Sequence, residues 1–283
     1  MRKFGLIGHP LGHSLSPQIH TRLFELSGET VDYQLYDIAP EELSAKADFL
    51  ASLDGFNITI PHKVGIIDYC DELSEGAKRY RSVNCVANDA KKLGYNTDVM
   101  GFTKSIDMLG ASLDSDVLVI GCGGVGRMIA IETALSGGNL TVAALRSDEA
   151  LVSQAVAEIK AQKSDAKVNV VYISDGALSK EDFGGSFPEF DLLVNACPVG
   201  MYPKVDNMPC TAELLEHVKY VFDVVYNPNV TLLAKTAREK GAKAMTGMAM
   251  LVLQAVAAHE IWDNATYDKA DIDKLISDME ALV

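Results

Sequence analysis

Aromatic residues are scarce in this chain: they make up 7% of 283 residues, with a single tryptophan. Basic residues are outnumbered, 25 lysines and arginines against 39 aspartates and glutamates. The formal net charge of -14 argues against nucleic acid as a partner, because that binding rests on neutralising phosphates. An anionic ligand would need local donors to hold it against the overall field. No apolar run reaches the roughly 18 residues that cross a bilayer, so no membrane partner is expected. The opening MRKFGLIGHP has too short an apolar run for a secretory signal, and a cytoplasmic location is expected. Five scattered cysteines, Cys70, Cys85, Cys122, Cys197 and Cys210, form no CxxC pair and read as reduced thiols rather than a disulfide or zinc framework. His9 and His13 are four apart, but Pro10 and Gly12 break any helix between them. HExxH is absent, so no metal is expected.

What is present is the composition of an ordinary globular protein, 48% hydrophobic and 23% charged, at a length that suggests about two domains. From Val117 to Thr246, apolar runs (VLVI, LTVAAL, VNVVYI, DLLVNA, YVFDVV, KAMT) alternate with amphipathic stretches of helical spacing. This pattern predicts βαβ units and a parallel, doubly wound sheet of six strands.

The first hundred residues predict a smaller α/β domain. FGLIG, YQLYDI, FNITI, VNCVAN and KLGYN read as strands; PQIHTRLFELSG, EELSAKADFLASL and ELSEGAKRYRS read as helices. Ser16 reads as a cap, with Pro17 at the first helical position and Gly28 as the stop. In FNITI, Phe56, Ile58 and Ile60 alternate with polar residues, predicting a half-buried strand that pins all three into the core. Two terminal helices, MAMLVLQAVAAHEIW and DKADIDKLISDMEALV, are expected to return to the first domain and leave a cleft, a favoured place for a small molecule. The expected domains are 1–101 plus 247–283 for substrate and 102–246 for a dinucleotide.

VLVIGCGGVGRM sets Gly121, Gly123 and Gly126, with Gly124 between them, as G-x-G-x-x-G directly after a strand and opening a helix. This is the Rossmann arrangement: a tight turn, close approach of backbone to pyrophosphate, and phosphates on a helix N-terminus. A glycine turn serving only chain reversal is the bland alternative. Past the next strand stand Arg146 and Ser147, which suit a 2′-phosphate and hence NADP. Asp148 follows and suits the free 2′-hydroxyl of NAD; Arg146 could also be merely solvated.

Four further pieces carry chemistry: PLGHSLSPQIH, NITIPHK, VNCV with NTD, and MLVLQA. Singly, each has a bland reading. Ser16 caps a helix, Asn84 and Asn96 sit in turns, Asp98 caps the next helix, Gln254 lies on an exposed face, and Lys63 is solvated like most lysines. Together and in order, with N-A-x-P-x-G-M (195–201), D-x-x-Y-N-P (223–228) and G-x-x-M-L-V-x-Q-A (247–255), they resemble the shikimate dehydrogenase family along the whole chain.

The resemblance implies a catalytic pair, Lys63 and Asp98. It implies that Ser14 and Ser16 hold a substrate carboxylate, and that Thr59, Asn84, Asp98, Tyr226 and Gln254 hold ring hydroxyls. On the cofactor side it adds Asn195 and Gly247 to the glycine loop. The implied reaction is NADP-dependent, reversible reduction of 3-dehydroshikimate to shikimate by a monomer or homodimer. Its rivals are a quinate/shikimate dehydrogenase using NAD and a binding module without catalysis. Several positions depart from the family pattern: Thr21, Cys85, His259, and Leu145-Arg146-Ser147 where Asn-Arg-Thr is typical of NADP users. None removes an implied catalytic group.

Overall fold

The structure is a computed structural model that describes residues 1–12 and 14–283. His13, half of the His9/His13 spacing, lies outside the described residues. Contacts divide the chain into two units, Met1–Gly101 with Leu251–Met279, and Phe102–Met250 with Glu280–Val283.

The first unit runs β1 (Lys3–Gly8), α1 (Ser16–Leu26), β2 (Asp32–Asp37), α2 (Ala47–Ala51), β3 (Gly55–Ile58), α3 (His62–Gly65), β4 (Glu72–Leu73), α4 (Glu75–Tyr80), β5 (Cys85–Asn88) and β6 (Lys92–Tyr95), then the first turn of α5 (Asp98–Leu109). Its sheet has the order β2-β1-β3-β5-β6-β4 among the described residues. β1 pairs parallel with β2 and β3, while β3–β5 and β5–β6 are antiparallel.

Several local expectations shift. β3 is an inner strand, so all four of its residues are buried rather than alternate ones. Its Asn57 is tolerated there because it accepts the Tyr33 hydroxyl at 2.8 Å, which satisfies a polar group that would otherwise be costly to bury. The strand ends at Ile58, where pairing with β1 stops. Ile60 lies beyond that pairing and is 73% exposed; only Phe56 and Ile58 enter the core, at about 1.5–3 kcal/mol each.

Ser16 is not a cap either. It is the first helical residue, and its N–H is taken by Ser14 Oγ at 3.2 Å, so the residue before it, Leu15, occupies the cap position. The EELSAKADFLASL segment breaks into two 3₁₀ turns, Pro40–Glu42 and Ser44–Lys46, and the short α2. In ELSEGAKRYRS, Glu72 and Leu73 pair with β6 instead, and α4 starts only where Ser74 Oγ accepts the Ala77 N–H.

The second unit holds the rest of α5, then β7 (Asp116–Ile120), α6 (Gly124–Ser136), β8 (Asn139–Leu145), α7 (Glu149–Gln162), β9 (Val168–Ile173), β10 (Phe190–Asn195), β11 (Val218–Asp223), α8 (Leu232–Glu239) and β12 (Lys243–Thr246). All of its pairings are parallel, in the order β12-β11-β10-β7-β8-β9. This is a doubly wound sheet whose order reverses between β7 and β10, the point where such folds bind ligands. Its central strands, covered on both faces, are almost wholly apolar, as in VLVI and LLV, while no residue of the edge strand β9 is buried. α9 (Met248–Asp263) and α10 (Lys269–Glu280) follow. From Leu251 to Met279 they belong to the first unit, where Trp262 Nε1 donates to Val86 O at 3.0 Å.

Candidate active site

The lysine is held by its neighbours. His62 is buried and donates Nε2–H to the Ile38 carbonyl at 2.6 Å, while the Lys63 carbonyl accepts the Val83 N–H at 2.8 Å. α3 is thereby pinned to the end of β2 on one side and to the approach to β5 on the other. Lys63 Nζ then donates to Asp98 Oδ2 at 2.6 Å, and the two side chains are 24% and 15% exposed. The second oxygen, Oδ1, accepts Asn84 Nδ2 at 2.8 Å. Both carboxylate oxygens thus meet donors.

Asn84 is fixed in turn by Thr97, whose backbone N–H donates to Asn84 Oδ1 at 2.6 Å. Asn84 Nδ2 faces three acceptors: Asp98 Oδ1, Thr97 Oγ1 at 2.9 Å and Gln254 Oε1 at 3.4 Å. An amide carries two hydrogens, so the two nearer partners take them. Gln254 is held more loosely, with its Nε2 donating to Leu251 O one turn back. The result is a half-buried ammonium–carboxylate pair rimmed by amide and hydroxyl groups. It can supply a proton and stabilise negative charge on a bound oxygen.

Two other predicted groups lie in the same unit. Thr59 follows β3, and Gly8 makes room for it, since a Cβ there would stand 2.4 Å from the Thr59 methyl. Ser14 and Ser16 open α1. The loop before them is tied down by Asp37, which accepts His9 Nδ1 at 2.6 Å and the Leu11 N–H at 3.1 Å. These bonds hold the Asp37 carboxyl below the usual carboxylate range, the His9 bond contributing most.

In the second unit the glycines divide their roles. Gly121 adopts φ +98°, a left-handed conformation that favours glycine. A Cβ on Gly126 would meet Gly121 O at 2.3 Å, so that glycine is what lets α6 pack against the end of β7. Over Gly123 and Gly124 a Cβ would meet nothing within 4 Å, and the Gly123 cap has no side chain to occupy the helix N-terminus. An open helix start, where the first N–H groups have no intrahelical partner, fits a pyrophosphate. Arg146 and Ser147 stand exposed at the end of β8, with Asp148 half-buried beside them.

Asn195 ends β10, while Gly247 and Tyr226 lie in the loops after β12 and β11. The Asn195 side chain is fully buried and spent within the protein: Nδ2 donates to Asp223 Oδ1 at 2.8 Å, and Oδ1 accepts the Cys197 N–H at 3.1 Å. A Cβ on Gly247 would stand 2.1 Å from Val224 O, so this glycine lets two backbones cross. Asp223 also accepts the Val225 N–H and the Thr231 hydroxyl, and burial pushes its carboxyl up to about 6. Tyr226 follows three residues later, its phenol pushed up by burial.

Residues 6–86 match the family model for the shikimate dehydrogenase substrate binding domain. The shikimate dehydrogenase (NADP(+)) of Caldanaerobacter subterraneus subsp. tengcongensis is 37% identical over 270 residues, which span 94% of this chain and 93% of that protein. The chain belongs to the shikimate dehydrogenase family. Among solved structures, the Thermus thermophilus shikimate 5-dehydrogenase, in complex with NADP(H) and shikimate, superposes with a TM-score of 0.82 at 28% identity over 98% of this chain and 99% of that one. The Listeria monocytogenes shikimate 5-dehydrogenase, in complex with shikimate and NAD, gives 0.84 at 28% identity over 98% and 96%.

Within this member of the family, Thr97 and His62 join the site although sequence reasoning passed over them. Thr97 stood inside the N-T-D motif and His62 inside NITIPHK.

Proposed function

We propose that this chain catalyses the reversible, NADP-dependent reduction of 3-dehydroshikimate to shikimate. The observation that carries the reading is the 2.6 Å contact between Lys63 and Asp98, at the motif positions the family resemblance marks as catalytic. It is supported by relatives whose names specify shikimate and NADP and which align over nearly all of the chain.

Bound at the α6 N-terminus, the nicotinamide cofactor supplies the hydride. Reduction of the ketone leaves negative charge on its oxygen. The Lys63 ammonium stabilises that charge and gives the proton; in the reverse direction its amine takes the proton back. Asp98, steadied by Asn84, orients the amine and balances its charge. Ser14, Ser16 and the N-terminus of α1 receive the substrate carboxylate without a net positive patch. Thr59, Asn84, Tyr226 and Gln254 hold ring hydroxyls. Gly121, Gly123, Gly124 and Gly126 form the pyrophosphate turn, Arg146 and Ser147 take the 2′-phosphate, and Asn195 and Gly247 shape the adjoining loops.

A second reading, a quinate/shikimate dehydrogenase using NAD, is favoured by Asp148, which stands two residues past Arg146. A third, a binding module without turnover, is disfavoured by the intact lysine–aspartate pair. Replacing Lys63 tests the role that carries the proposal. Lys63→Ala should lower kcat by about 10²–10⁴-fold while shikimate Kd, measured by calorimetry, changes far less. A mutant with near-normal turnover would refute it.

A further inference from the structure

Arg146 is placed by more than its own strand. Its guanidinium carbon lies 4.0 Å from the centre of the Tyr172 ring. Tyr172 sits near the end of β9, the edge strand, in register with Ala144 of β8, two residues before the arginine. Asp148 and Glu149 follow Arg146 closely in the chain, yet among the described residues the guanidinium forms no hydrogen bond or ion pair with them or with any other side chain. It rests on the tyrosine instead. A guanidinium seated over an aromatic face is held in place while its N–H groups remain available, an arrangement suited to receiving a phosphate bidentately. Arg146 and the open α6 N-terminus stand at the carboxyl ends of neighbouring strands β8 and β7, the sheet edge where doubly wound folds bind nucleotides.

We propose that Tyr172 is a positioning residue for cofactor choice: its ring fixes the Arg146 guanidinium for the 2′-phosphate, so selection of NADP over NAD depends on a tyrosine one strand away. This rests on the NADP reading above. The two acids beside Arg146 repel a phosphate and suit a free ribose hydroxyl, so an arginine left to wander would not offset them. The stack holds the cation where it does.

Binding without turnover tests this. Kd values for NADP+, NAD+ and adenosine 2′,5′-bisphosphate are measured by calorimetry on the full chain, for the wild type, Arg146→Ala, Tyr172→Leu and Tyr172→Phe. Leucine keeps an apolar side chain on the strand and removes the ring; phenylalanine keeps the ring. Tyr172→Leu should weaken NADP+ and the bisphosphate by about fivefold and leave NAD+ within about twofold, with Tyr172→Phe close to wild type. Equal weakening of NADP+ and NAD+, or no change in either, overturns the inference. If Arg146→Ala abolishes the preference for NADP+ and Tyr172→Leu preserves it, the inference falls and the cofactor reading stands. If the wild type does not prefer NADP+ at all, both fall.

Discussion

At the scale of single residues, the site depends on hydrogen-bond arithmetic. Thr97 is fully buried. Its hydroxyl takes one of the two hydrogens of the Asn84 amide, and the other goes to Asp98. Thr97→Val keeps the shape and the backbone N–H but leaves that amide hydrogen facing a methyl group. The loss of a buried partner costs about 1–3 kcal/mol, to be read from urea unfolding. Because Asn84 would then be held closely only by the Thr97 N–H and by Asp98, the KM for shikimate should rise more than kcat falls. An unchanged KM would mean that Asn84 needs no such anchor. Lys63, Asp98 and Asn84 were legible in the sequence because they stand at fixed places in recognisable motifs. Thr97 and His62 were not, because each acts by satisfying another group in the fold, Asn84 in one case and the Ile38 carbonyl in the other. No periodicity or spacing records a partner that only the folded chain supplies. Ser16 was misread for the same reason, since nothing in the sequence shows that Ser14 Oγ takes its N–H.

At the scale of elements, the turn from β7 into α6 makes two glycines separable. Gly123 has a φ of -67° and open space where a Cβ would go. Gly123→Ala should therefore leave the melting temperature nearly unchanged while weakening NADP+ binding, because the methyl occupies the approach to the helix start. Gly126→Ala should weaken both, since its Cβ collides with Gly121 O and forces backbone movement costing about 1–3 kcal/mol. Thermal melts with and without NADP+ distinguish the pair, and equal stability losses would contradict the division of roles. The second unit was legible almost strand by strand because its parallel sheet is covered on both faces and leaves long apolar runs. The first unit was harder. β3 is an inner strand, so its polar–apolar alternation did not mark a wet face; Asn57 is buried against Tyr33. The short, broken helices between Pro40 and Ala51 lack the length at which helical periodicity becomes decisive.

At the scale of the whole molecule, the two units should respond oppositely to mild acid. In the first, His20 Nδ1 and His259 Nε2 lie 3.1 Å apart, and His259 Nδ1 meets the Tyr267 hydroxyl at 2.9 Å. Burial holds both imidazoles neutral, His20 well below its ordinary range and His259 down to about 3. Their folded values are depressed, so the stability they confer is complete above the unfolded value and is lost as pH falls from there towards the folded one; at pH 5, His259 alone accounts for about 2 kcal/mol. In the second, Asp223 has a folded value raised to about 6 from 3.8. Its contribution is greatest below the lower value and is lost as pH rises through the higher one, about 3 kcal/mol in all. Hydrogen-exchange protection compared at pH 7 and pH 5 should show His259→Phe reducing the acid loss in β1 and β3, and Asp223→Asn reducing the acid gain in β7 and β10. Identical profiles in mutant and wild type would contradict the assignment of these groups. Turnover by the intact chain bears most directly on what the molecule does. Initial rates of NADPH and NADH formation should be followed by the absorbance of the reduced nicotinamide, with shikimate and separately with quinate. We expect shikimate with NADP+ to give the highest kcat/KM, at least about tenfold above NAD+, or about 1.4 kcal/mol. A preference for NAD+ of that size, or shikimate binding with no turnover on either cofactor, would contradict the proposed function.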